Sequence, residues 1–177
     1  MGYGFADYYK GNSDNDERKN FIQKCNIFNL FISLFLLIIC IITVCYDKNF
    51  QSWLIGITFF RVYSRSIEIV YAFGKDALSE SDNKSKLTKF ERIELAIRSY
   101  VEIYLYSAAF YITIIKDVDI LKPLVMSLSV GSLTNVAYSQ SPDLLFYDWM
   151  QLFAFCQVFS TLSLVVLSLA IYVSRKE

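Results

Sequence analysis

The chain has 177 residues, of which 55% are hydrophobic and 19% charged, and its basic and acidic side chains balance to zero net charge. A soluble domain carries about 25% charged residues, so this composition suits a lipid solvent better than water, and zero net charge gives no reason to expect a nucleic-acid partner. No histidine is present, which removes the commonest general base, the commonest metal ligand and every Ser-His or Cys-His pair. No enzyme, resident metal or cofactor is expected.

A length of 177 residues accommodates about four membrane helices with their connections. Residues 1–26 form a polar N-terminal segment, too long and too acidic for a cleavable signal. Phe28 to Tyr46 follows without a charge, long enough to match the hydrocarbon thickness. Of the four cysteines, Cys40, Cys45 and Cys156 lie in apolar runs, and with Cys25 they lack metal-ligand spacing; they read as small packing residues.

Phe50 to Phe73 is the second expected span and Ile93 to Ile115 the third, so residues 27–115 hold three transmembrane helices around a polar loop at 74–92. The second span carries Arg61, Arg65 and Glu68, the third Glu94, Arg98 and Glu102. Their three- and four-residue spacing gathers these charges on one face of each helix. Charge at bilayer depth is costly unless it faces the protein interior and pairs. In an antiparallel hairpin, residues at one level share a nearly constant index sum, which sets Arg65 opposite Glu102 and Glu68 opposite Arg98. The alternative is that these charges lie at the membrane surface, each apolar half being too short to span alone.

Residues 116–177 make up a loop and the last span, Trp149 to Val173. Eleven Lys and Arg fall in the N-terminal lead, the 74–92 loop and the tail, against three in the other two connections. The excess of basic residues marks the cytoplasmic side, so a multi-pass protein of the cell membrane with both termini in the cytoplasm is expected. On the outer side, Asp117 and Asp119 lead to Lys122-Pro123, with proline suited to a first helical turn. The apolar run Leu124 to Leu133 is too short to span and long enough to dip halfway. It ends in Thr134-Asn135-Val136-Ala137-Tyr138-Ser139-Gln140-Ser141-Pro142. Irregular backbone at that depth is tolerated where it is buried in protein or lines a watery cavity. A helix dipping inward aims its partially negative C-terminal end at the membrane centre, which suits a cation.

The run Ser127-Leu128-Ser129-Val130-Gly131-Ser132-Leu133-Thr134-Asn135-Val136-Ala137-Tyr138-Ser139 resembles the pore helix and selectivity filter of the potassium-channel superfamily, written S-x-x-T-x-T-T-V-G-Y-G-D. The resemblance extends over roughly residues 50–177, including Arg98-Ser99-Tyr100-Val101-Glu102-Ile103 ahead of the pore. It implies an all-α membrane protein with four transmembrane helices and a re-entrant pore helix and filter-like loop between the third and fourth. It further implies a homotetramer, because one loop supplies a quarter of a filter. Thr134, Asn135, Val136, Ala137, Tyr138 and Ser139 would line the ion pathway, with potassium or another monovalent cation as the permeant ion. Asp117, Asp119, Asp143 and Asp148 would gather cations near the outer mouth.

The departures from that pattern have physical consequences. Filter carbonyls replace the hydration shell of potassium, and two glycines give the backbone its left-handed angles, which other residues reach at about 1–2 kcal/mol each. Ala137 and Ser139 stand at those positions, Asn135 replaces a filter threonine and Gln140 the outer aspartate. Ser160 falls near the gating-hinge glycine, where serine bends a helix less readily. The alternative function is therefore a non-conducting, channel-like subunit or membrane scaffold that assembles with a related channel subunit or another partner. Two arginines are too few for a voltage sensor, and no pair of related halves marks a transporter.

Overall fold

Uncharged Ile-, Leu- and Phe-rich runs favour helix wherever backbone groups must satisfy one another. The structure, a computed structural model, describes residues 15–46, 48–78, 87–114, 120–135 and 147–165. These form five helices and no strand among the described residues: α1 Asn15–Tyr46, α2 Lys48–Leu78, α3 Lys89–Ile114, α4 Leu121–Gly131 and α5 Tyr147–Leu162. The all-α class is thereby observed. By length and composition, α1 is the one helix among the described residues apolar enough to cross a membrane, and only 17% of its apolar stretch is buried within the chain.

Helix α1 begins at Asn15, well before the expected start at Phe28. Asp16 and Glu17 in its first turn complement the helix dipole, and the polar turns that follow are anchored to α3. Lys19 pairs with Glu91 at 2.6 Å, and Asn26 Nδ2 donates to Ser99 Oγ at 3.1 Å. These contacts align α1 parallel to α3. Helix α2 runs antiparallel to α3, from Gln51 donating to the Thr113 carbonyl down to Ile69, which clusters with Ala96. The α3 entry is a capping box in which the Glu91 carboxylate accepts from the Thr88 N–H at 2.9 Å, while the Glu91 N–H donates to Thr88 Oγ1.

Helix α3 is the central element, in contact with all four others, and from Glu102 onward most of its surface is covered. Helix α5 packs beside α2 and α3 through Phe153, whose ring stacks on Phe110 at 4.0 Å between centroids and meets Tyr111 edge-on. After Leu162 its backbone widens into a π-type turn at 163–165, close to the Ser160 hydroxyl that bonds back to the Cys156 carbonyl.

Polarity is distributed inside out. Large apolar side chains such as Phe31, Phe35, Trp53, Phe60, Phe155 and Phe159 face outward, whereas Ser33, Thr58, Ser66, Ser107, Gln157 and Glu102 are buried. In water this arrangement would expose hydrocarbon and dehydrate polar groups together. Small polar residues between helices let backbones approach closely in lipid.

Candidate functional site

Two arrangements of polar groups lie on opposite faces of α3, near its midpoint. The first joins α1, α2 and α3. Arg65 reaches Glu102 through two parallel hydrogen bonds, Nε to Oε1 at 2.6 Å and Nη2 to Oε2 at 2.9 Å, and the Glu102 side chain is 0% exposed. This fork geometry is the strongest form of carboxylate recognition. One turn away, Arg61 Nε donates to the Tyr106 hydroxyl at 3.1 Å and Nη2 to Asn29 Oδ1 at 3.2 Å, with its guanidinium over the Tyr106 ring.

The second expected rung is not the one formed. Glu68 meets Arg65 at 3.0 Å along its own helix, and Arg98 pairs with Glu94. The fork to Glu102 uses Arg65 Nε and Nη2, leaving Nη1 free to donate to Glu68 as well. Arg98 is then served by the carboxylate one turn before it, the cheaper pairing because both groups already share a helix. The network holds two arginines and two carboxylates and is neutral as a whole.

The second arrangement centres on α4, which folds back antiparallel to α3. Near its start, the Tyr104 hydroxyl lies 3.4 Å from the Leu124 carbonyl; farther along, Ser127 Oγ donates to the Tyr104 carbonyl at 2.8 Å. Its last residue, Gly131, lies beside Tyr100 and Gln157, level with the middle of α3. The expected run to Leu133 ends earlier because the chain reverses. The Leu133 N–H returns to the Val130 carbonyl and the Thr134 N–H to the Ser129 carbonyl, which is the Schellman pattern. Leu133 takes the left-handed position at φ 62°, where glycine is usual.

The Ser129 carbonyl is the hub of this reversal. It accepts the N–H groups of Thr134 and Asn135 at 3.0 and 3.2 Å and the Thr134 hydroxyl at 3.3 Å. Thr134 and Asn135 are exposed. Val136, Ala137, Tyr138 and Ser139 lie outside the described residues, as do Asp117, Asp119 and Asp143. The buried charges do not join the loop: Glu102 and Tyr104 are two residues apart on α3 and so point about 200° apart around its axis.

Gln157 is the polar residue that sequence reasoning passed over. Fully buried on α5, its Nε2 donates to the Ser127 carbonyl at 2.9 Å and approaches Ser127 Oγ at 3.4 Å, while its Oε1 accepts from the Tyr111 hydroxyl at 3.1 Å. The signal was present, a carboxamide well inside a long apolar run. Its meaning depends on α4, which contact periodicity along α5 does not reveal. Among the described residues no group of acidic, cysteine or histidine side chains has the makings of a metal site. No family model matches the chain, and neither a curated protein nor a solved structure does.

Proposed function

We propose that this chain is the pore-forming subunit of a homotetrameric cation channel, passing potassium or monovalent cations with weak selectivity across the cell membrane. In this reading α1, α2, α3 and α5 cross the bilayer with both termini in the cytoplasm, and α4 is the re-entrant pore helix. One observation carries the reading: an eleven-residue helix lies antiparallel on a long central helix and ends halfway along it, before the threonine-bearing loop. A dip from one face of a bilayer must turn near mid-depth, and a helix of this length ending there fits that requirement. The outward-facing apolar side chains of α2 and α5 support their immersion, although α2 carries charges, because its arginines are satisfied from inside.

Thr134 to Ser139 would then supply the ion pathway, with the C-terminal end of α4 contributing a partial negative charge. Purified protein reconstituted in liposomes under a potassium gradient should release the ion on addition of a proton carrier. Liposomes that stay tight at every voltage and pH would remove the proposal. The alternative, a non-conducting subunit or scaffold assembling with a related partner, is favoured by Ala137 and Ser139 at the glycine positions. Conductance that emerges only in the Ala137→Gly/Ser139→Gly double variant would select it.

A further inference from the structure

We infer that Gln157 is the positioning residue that sets how deeply α4 dips, and through it the depth and ion preference of the loop at Thr134–Asn135. The inference rests on the channel reading for its consequence. Apolar side chains can slide along one another in lipid at little cost, because lipid tails and leucines are equally good neighbours. An eleven-residue helix held only by such contacts has no fixed height against α3. A carboxamide changes this, since its hydrogen bonds hold within a few tenths of an ångström and any slip leaves buried polar groups unpaired.

Both ends of the Gln157 amide are used. Its nitrogen is committed to α4 at Ser127 and its oxygen to α3 at Tyr111, and Ser127 in turn reaches the α3 backbone at Tyr104. Gln157, Ser127 and Tyr111 are all 0% exposed. One side chain of α5 therefore locks three helices at a single level. A second feature fits the same purpose: one turn beyond Ser127 stands Gly131, where an added Cβ would lie 3.2 Å from Gln157 Nε2. The missing side chain leaves room for the amide. Only three residues separate Gly131 from Asn135, so a shift of α4 carries directly into the loop.

The test uses the full chain in liposomes and compares Gln157→Met, which keeps length and loses the amide, with Ser127→Ala and the two combined. The potassium-to-sodium permeability ratio, read from the reversal potential, should shift roughly fivefold in Ser127→Ala, the factor that the loss of one hydrogen bond corresponds to, and by more in Gln157→Met, which loses bonds to both Ser127 and Tyr111. The double variant should shift at least as far as Gln157→Met alone, because the two remove different bonds: Gln157→Met those to the Ser127 carbonyl and Tyr111, Ser127→Ala that to the Tyr104 carbonyl. Gly131→Ala should move the ratio in the same direction. A Gln157→Met chain that retains its helical content and assembly size with an unchanged ratio would overturn the inference.

Should the unaltered protein pass no ions, the channel reading falls and the clasp is judged by labelling. With the native cysteines replaced by alanine, Asn135→Cys is exposed to a water-soluble maleimide. Gln157→Met should change its labelling rate roughly fivefold on the same ground; an equal rate rejects the clasp.

Discussion

Glu102 has no contact with solvent and is held by both nitrogens of one arginine edge. Removing one partner of such a pair leaves an uncompensated buried charge, at a cost of about 3–5 kcal/mol. Unfolding in detergent should therefore show Glu102→Ala or Arg65→Ala destabilised by about that amount. The exchanged pair Arg65→Glu/Glu102→Arg should recover part of it, though not all, because Glu68 sits beside position 65. Leu133 poses the opposite case. Its left-handed backbone is strained for a branched side chain, and its side chain is 41% exposed, so Leu133→Gly should raise stability by about 1 kcal/mol. At the entry to α3, outside its apolar part, Glu91 is held at about 2 rather than the ordinary 4.5, first by the Lys19 ammonium and then by the Thr88 backbone N–H. A lowered carboxylate value stabilises the fold above pH 4.5, and that contribution drains away as pH falls toward about 2. The melting temperature should be flat above pH 5 and fall below it, with the fall reduced in Glu91→Gln.

At the scale of the helices, the charge spacing in α2 and α3 made the antiparallel hairpin and the Arg65–Glu102 level readable, since side-chain register follows from chain direction alone. Glu68 with Arg98 failed the same rule because each had a partner on its own helix, which index sums ignore. The start of α1 was misjudged in a related way. Its turns before Ile27 look like a polar lead, yet Lys19 and Asn26 find Glu91 and Ser99 on α3, contacts between residues more than seventy positions apart. The α3 capping box, Thr88-x-x-Glu91, lies inside the stretch expected as the 74–92 loop, so the helix starts at Lys89 rather than at Ile93. Thr88→Ala should accordingly cost about 1 kcal/mol, seen as faster amide exchange confined to the first turn of α3. The end of α4 was placed within two residues, but the cap that closes it uses leucine where sequence rules expect glycine.

For the molecule as a whole, outward hydrocarbon and inward polarity make the solvent part of the fold. Trp53 is 73% exposed on α2, so in a Trp149→Phe chain its fluorescence should be quenched by bilayers carrying brominated acyl chains and blue-shifted relative to water. Unquenched emission would remove α2 from the lipid. Composition, the uncharged run of α1, the absence of histidine and the short apolar run at Leu124–Leu133 were all properties of the chain read in order. They established an all-helical protein with a helix fit for a membrane, and where to look for a site. Only the tertiary structure decided that α3 would be the central helix, that its two faces would carry a neutral charge network and a half-length helix, and that Gln157 would clasp the latter. The physical reason is that periodicity reports which face of a helix is apolar. Which distant donor meets a buried acceptor is set by three helices packing at once.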